Sequence, residues 1–426
     1  MQEKNIKNKF DYTWIIIGLG FLMVFVTLGF CSSNKGFYLD AITKALDVER
    51  GLFSIGDSIR FITTAVVSMF FGTLVNKYGI KKLILAGFIC LISCMLLYSF
   101  GSSLIWFYIG NFLLGVGLSW TSTAMVGCIV NKWCSEKRGT IMGAVLAANG
   151  LGGATAIQIV GPIIESGTWG YRSAYRLVAL LLLVVAILML IFFRENPKGK
   201  EKAKIVIEKK KSRGQNWEGI EFTKAKKSTF FYLSALAVLM TGLVLQAING
   251  VAITHMKDVG LNASYVVLIS SIHSITLTLF KFLTGVLYDK CGLRITTIIC
   301  DITAIVVMIA ITSVTNSAIG MFMAMFYGIF SSLALPLETV LIPIIVGDMF
   351  GQKSYNQMIG IFTALNSIGF AIGSPLANMT YDKLGTYKPM FVVCCIIMTL
   401  VVIIFQISIT MAYKKRKSVI ALTSEK

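Results

Sequence analysis

The sequence predicts an all-α integral membrane protein, with twelve transmembrane helices in two pseudo-symmetric six-helix bundles. Three observations carry this. Hydrophobic residues make up 56% of the chain and charged residues 14%, against about a quarter charged in soluble domains, and the mean hydropathy is +0.78. The apolar residues gather into runs near the ~20-residue length that crosses a bilayer as a helix. Finally, two stretches recur half a chain apart. Gly72-Thr73-Leu74-Val75-Asn76-Lys77-Tyr78-Gly79 is echoed by Gly285-Val286-Leu287-Tyr288-Asp289-Lys290-Cys291-Gly292, at an offset of 213 residues. Gly143–Gly152 is echoed by Gly360–Gly369 at an offset of 217, with Asn149 falling on Asn366. Two echoes at nearly one offset point to an internal duplication.

The runs are 14–34, 52–75, 83–101, 104–130, 140–163, 173–193, 229–253, 264–287, 295–314, 318–347, 357–379 and 389–412. Six prolines in all, and no ten-residue alternating segments, favour helices over a barrel. The first run is too long for a cleavable leader and is followed by more spans, so it reads as span 1. With the amino terminus placed in the cytoplasm, 29 of the 39 Lys and Arg fall on the cytoplasmic side and 7 outside. The positive-inside rule therefore puts both termini in the cytoplasm. Residues 1–193 form the first bundle and 194–228 a basic cytoplasmic linker. Residues 229–412 form the second bundle and 413–426 a basic tail. The linker reads as a topology anchor resting on anionic headgroups, with regulation as a second reading.

The net charge of +19 does not indicate nucleic acid, because the bases sit in short loops between apolar runs. The nine cysteines are scattered without ligand spacing, and two histidines do not build a metal site. Neither a metal nor a cofactor is expected. Gly110–Gly117 lies mid-span and is a packing stretch, not a phosphate loop. With no nucleophile–base constellation and no Walker motif, an enzyme and an ATP-driven pump both recede.

Charges inside spans are costly and mark function or ion pairing. Lys281 lies two turns inside span 8, where a buried ammonium calls for an anion, either a solute carboxylate or a structural partner. His273 lies eight residues earlier, on roughly the same helical face, as a second solute or proton group or a packing histidine. Asp57 and Arg60 are three apart in span 2, which makes an intrahelical pair or an outer gate. Glu338 stands between Pro336 and Pro343 in span 10, a bent stretch, as a proton carrier or a gate contact. Asp301 is expected to pair with a loop base, and Arg176 to be interfacial. Asn149 and Asn366 occupy repeat-equivalent places as interhelical or cavity hydrogen-bonders, and Asn111, Gln158, Gln246 and Asn249 are weaker cases. Tyr108, Trp120 and Tyr327 are candidate cavity walls or packing residues.

At Gly72, Leu74, Lys77, Gly79, Lys81 and Lys82 the chain resembles the loop signature of the major facilitator superfamily, and the resemblance extends over its whole length. Asn76 departs from the acid usual there, and Asp289 keeps it in the second copy. The resemblance implies two rocking halves with a solute site between them, latched at Gly72, Asn76, Lys77 and Gly79 and at Asp289, Lys290, Gly292 and Arg294. It also implies a weaker first latch. Asn34-Lys35-Gly36-Phe37-Tyr38, the Trp133–Gly143 stretch and Lys281 resemble the monocarboxylate-porter and oxalate/formate-antiporter group. That likeness implies a secondary transporter of a small organic anion, with Lys35 at the outer end of span 1 and coupling to protons or a counter-anion. Two departures weaken the transfer: Leu277 replaces the acid one turn before the span-8 base, and span 11 holds no second base. The rivals are efflux of drugs or other amphiphiles and a non-transporting membrane sensor or scaffold. The expected setting is a monomer in a bacterial inner membrane.

Overall fold

The computed structural model describes residues 12–32, 35–48, 50–134, 136–167, 169–196 and 219–424. Among these residues the regular secondary structure is entirely helical. Eleven stretches are long and apolar enough to span a bilayer. One of them, Ala263–Thr312, is two helices joined at Gly292, where φ is 80° and ψ is 172°. Counting it as spans 8 and 9 gives the twelve expected spans. Gly79, the equivalent glycine of the first echo, ends span 2 at φ 84° and ψ 164°. A side chain is disfavoured in this region, so both copies keep glycine where the chain reverses into the next span.

The other spans are Tyr12–Phe30, Arg50–Tyr78, Ile80–Phe100, Leu104–Trp133, Arg138–Glu165 and Gly170–Phe192 in the first half. In the second half they are Thr229–Asn249, Ala318–Phe350, Tyr355–Leu384 and Lys388–Ser424. The last helix runs unbroken to Ser424, so the basic tail continues span 12 as helix. A short helix, Lys35–Leu46, joins spans 1 and 2.

Two spans are discontinuous at matching places in the repeat. Span 4 breaks at Ser122 (φ −111°, ψ −148°) into Leu104–Thr121 and Thr123–Trp133. Span 10 breaks after Ala334 into a 3₁₀ turn, Leu335–Glu338, before Leu341–Phe350 begins. Pro336 and Pro343 explain the second break, since proline cannot donate into the preceding turn. At the first break Ser119 and Thr121 donate to the carbonyls of Gly115 and Gly117 at 2.8 and 2.9 Å, a pattern that weakens helical geometry. Span 1 also departs from α-geometry, widening to a π-helix over Phe25–Phe30.

The halves meet where span 5 packs on span 8 and span 2 on span 11. Glycines set these approaches. A Cβ on Gly285 would lie 2.0 Å from the Gly139 carbonyl oxygen, and one on Gly143 would lie 2.5 Å from that of Lys281. Span 11 packs in turn on span 7, where Gly369 and Gly373 lie against the Leu239 and Leu243 carbonyls. The second echo therefore marks the two spans, 5 and 11, that carry glycine-lined contacts in both directions.

Candidate functional site

Lys281 sits in span 8 at 3% exposure, beside the glycine contact with span 5. Among the described residues it forms no hydrogen bond and no ion pair. Its ammonium lies within electrostatic reach of Glu338, which stands on the 3₁₀ turn that interrupts span 10. Glu338 Oε2 is itself buried without a hydrogen-bond partner. The break thus places a carboxylate within electrostatic reach of a lysine two helices away in sequence, just before the half-helix Leu341–Phe350. The other half-helix, Thr123–Trp133, begins at Ser122 with no side-chain cap. Free N–H groups at a helix start carry partial positive charge.

His273 is turned to span 10. Its Nδ1 lies 3.2 Å from the Gly328 carbonyl, 3.1 Å from Ser331 Oγ and 3.0 Å from Ser332 Oγ. That ring nitrogen is taken up by helix–helix packing, while Lys281 stays within electrostatic range. Asn366 is buried, and its unpartnered Oδ1 lies against span 7, where a Cβ on Gly242 would stand 2.7 Å away. Asn149 is half-buried on span 5. Asn249 Oδ1 accepts from Tyr327 at 2.8 Å, which joins spans 7 and 10. Tyr108 donates to the Leu52 carbonyl and so braces span 4 against span 2, while Trp120 Nε1 is buried without a partner beside the Ser122 break.

Asp57 and Arg60 pair at 3.7 Å. Arg60 also donates to Ser32 at the end of span 1 (2.9 Å) and lies over the Phe61 ring, which meets Phe370 of span 11 edge-on. The side chain of Lys35 lies outside the described residues. Asp301 corrects an expectation: among the described residues no loop base reaches it, and both carboxylate oxygens are fully buried without a partner. It lies two turns beyond Arg294, which instead reaches Gln406 of span 12 at 3.2 Å. Arg176 holds Ser99 at 2.9 Å and stacks on Phe100.

The face that carries most of the bases, called the basic face below, joins the halves through two unequal hydrogen-bonded contacts. Asp289 accepts from the backbone N–H of Gly139 (3.0 Å), from that of Thr140 (2.7 Å) and from the Thr140 hydroxyl (2.6 Å). A carboxylate therefore caps the start of span 5. At the repeat-equivalent place Asn76 accepts one bond from Asn356, in the first turn of span 11, at 2.9 Å. The Asn76 contact is neutral and single, the Asp289 contact charge-assisted and threefold. Alongside them Asn131 and Gln352 exchange two amide hydrogen bonds, one of them 2.7 Å, and Cys128 donates to Asn356. Glu195, after span 6, accepts from the Ile80 N–H at 3.1 Å and meets Lys132 at 3.7 Å, so it caps span 3. Sequence reasoning missed Glu195, Asn131 and Gln352. A lone acid after an apolar run and two isolated amides gave no pattern to follow.

A twelve-span bundle with an internal repeat, helices broken at matching places and a lysine buried within a span has the architecture of a membrane transporter. The chain belongs to the Major Facilitator Superfamily, whose model matches residues 19–248 and 234–424. The chain is 24% identical to "Monocarboxylate transporter 13" of Bos taurus, over 89% of this chain and 85% of that one. It is 28% identical to "Multi-drug resistance efflux pump PmrA" of Streptococcus pneumoniae, over 48% and 50%. In fold it is similar to the proton:xylose symporter XylE bound to 6-bromo-6-deoxy-D-glucose, with a TM-score of 0.74 at 13% identity over 92% of this chain and 94% of that one.

Proposed function

We propose that this transporter moves a small organic anion, a mono- or dicarboxylate, by alternating access, and that Lys281 is the group that neutralises the solute carboxylate. The single observation that carries the reading is the state of Lys281: an ammonium at 3% exposure with no hydrogen bond or ion pair among the described residues. Holding such a charge in a span costs several kcal/mol unless an anion compensates it. Glu338 is the resident anion within electrostatic reach, and its Oε2 is uncommitted. A bound carboxylate takes the place of Glu338 beside Lys281. Glu338 then either accepts a proton, which couples transport to protons, or waits for a counter-anion, which makes the cycle an exchange. The uncapped start of Thr123–Trp133 adds positive potential on the first-half side. Asn149 and Asn366 frame spans 5 and 11, Asp57 and Arg60 act at the far end of span 2, and Lys35 serves the outer approach. The basic face is cytoplasmic in this reading, and its latches hold the cytoplasmic side closed while solute enters from outside. The likeness to a monocarboxylate transporter supports the solute class.

The test is uptake of a labelled carboxylate panel into proteoliposomes, with and without an inward proton gradient. Lys281→Ala is expected to abolish flux with insertion intact, and Lys281→Arg to retain part of it. Carboxylate flux that survives Lys281→Ala unchanged would sink the anion site. A second reading, efflux of amphiphilic compounds, is favoured by the half-length similarity to an efflux pump. It gains the lead if no carboxylate moves and a lipophilic dye is exported instead.

A further inference from the structure

From Gly219 to Ser228 the chain is strapped across the turn between spans 10 and 11. Gly219 has φ 102° and no room for a side chain, since a Cβ would lie 2.5 Å from the Phe350 carbonyl oxygen. The Ile220 N–H donates to that same carbonyl at 3.0 Å, and Ser354 Oγ donates to the Ile220 carbonyl. Lys353 meets Glu221 at 2.8 Å, and Lys224 meets it at 3.4 Å. The strapped turn carries Gln352, which pairs with Asn131 of span 4. Asn356, which pairs with Asn76, follows it in the first turn of span 11. The strap therefore fastens to the segment through which one half grips the other.

Beside the strap, at the start of span 7 and the end of span 12, lie two adjoining cavities of about 410 and 530 Å³. Lys224, Lys227, Lys353, Lys414 and Lys415 line them, against one acid, Glu221. The floor is apolar, from Phe230 and Met411. Ser228, at the cap position of span 7, turns its hydroxyl back to the Ala225 carbonyl and leaves the first-turn amides of span 7 without a side-chain cap. Clustered ammonium groups, uncapped helix amides and an apolar floor at a membrane boundary match one ligand chemistry, a phosphodiester carrying acyl chains.

We propose that this groove binds the headgroup phosphate of an anionic membrane lipid, and that the bound lipid tightens the strap and so favours the state in which the basic face is closed. The phosphate bridges Lys224 and Lys227 of the strap to the lysines at the end of span 12. The strap is thereby tied to two spans and to the turn that carries Gln352.

The purified protein is compared in nanodiscs of phosphatidylcholine alone and with phosphatidylglycerol added. Thermal unfolding is recorded together with hydrogen exchange at the Ile220 amide. Phosphatidylglycerol is expected to raise the unfolding midpoint by roughly 5 °C and to slow exchange at Ile220. Lys224→Gln/Lys227→Gln should lose both responses, as should Lys414→Gln/Lys415→Gln. Lys81→Gln/Lys82→Gln removes the same charge elsewhere on the basic face and should keep both. The proposal is overturned if the groove variants still respond. It is equally overturned if the Lys81/Lys82 variant loses the response to the same extent, which would make the effect one of general surface charge. It also fails if inorganic phosphate reproduces the response in phosphatidylcholine alone, which would make the ligand a soluble ion.

Discussion

Asp289→Asn isolates the ionic latch. The carboxylate accepts three hydrogen bonds at the start of span 5. A hydrogen bond to a charged group contributes about 1.5–3 kcal/mol, and a negative charge at a helix start adds about 0.3–1 kcal/mol. Exposure on the Thr140 side argues for the low end of both ranges. Asparagine keeps one acceptor oxygen, loses the charge and turns an NH₂ group towards a backbone donor. The repeat itself supplies this neutral arrangement, the single 2.9 Å bond between Asn356 and Asn76. The substitution should therefore destabilise the closed basic face by about 3 kcal/mol, roughly a hundredfold in the opening equilibrium. Cys128 reports that opening. It is 3% exposed and its thiol donates to Asn356 Oδ1 inside the closed face, whereas Cys291 is exposed and serves as an internal standard. Maleimide labelling resolved by mass spectrometry should show Cys128 reacting about a hundredfold faster in Asp289→Asn. Asn76→Asp, which places a carboxylate at the start of span 11, should slow it. A Cys128 rate within about threefold of wild type, in a variant with an unchanged thermal midpoint, would refute the assignment of Asp289 as the stronger latch.

Three further outcomes are expected. Glu338→Gln removes the anion within reach of Lys281, so exchange of solute across the membrane should persist while accumulation driven by a proton gradient is lost; unchanged accumulation would leave proton coupling elsewhere. Gly143→Val places side-chain atoms where even a Cβ lies 2.5 Å from the Lys281 carbonyl oxygen. It should cost about 1–3 kcal/mol by overpacking, read as a lower thermal midpoint, and an unchanged midpoint would mean that spans 5 and 8 are not held at this close approach. Glu221 is held below the ordinary glutamate range by its hydrogen bond to Lys353 and then by Lys224. A depressed acid contributes its anchoring fully above the ordinary value near 4.5 and loses it as the pH falls further. The protection factor of the Ile220 amide, its exchange rate corrected for the intrinsic pH dependence, should accordingly stay high at neutral pH and fall on acidification below that value; Lys353→Gln should lower it at neutral pH, and a pH-independent protection factor would remove Glu221 from the strap.

The fold was legible because a bilayer leaves few solutions. Long apolar runs must close their own hydrogen bonds as helices, and the reversals after spans 2 and 8 need glycine at positive φ, which is why Gly79 and Gly292 echo each other. The difference in hydrogen bonding at the two repeat-equivalent contacts follows from one letter, since Asn76 stands where the second copy has Asp289 and a carboxylate accepts more strongly than an amide. What the sequence withheld were contacts that depend on how two helices face each other. His273 shares a helical face with Lys281 on paper, yet three groups of span 10 hold its Nδ1. Asp301 looks near enough to a loop base, but Arg294 turns to Gln406 of the neighbouring span.

The two broken helices show the difference most clearly. Pro336 and Pro343 announce one break. The other falls at Ser122 with neither proline nor glycine at it, in the run Ser119-Trp120-Thr121-Ser122-Thr123, where hydroxyls compete for their own helix carbonyls. Such a run reads as a polar interruption of an apolar span and gains meaning only from its partner half a chain away. Once the breaks are paired, the proposed anion site can be argued from charge. One half offers an uncapped helix start and the other a buried ammonium, while the acid on the second break, Glu338, lies within reach of that ammonium. In the proposed function, a site with two positive elements and one resident acid takes an added anion only when that acid is displaced or protonated. On that proposal, occupancy of the site is linked to the state of Glu338.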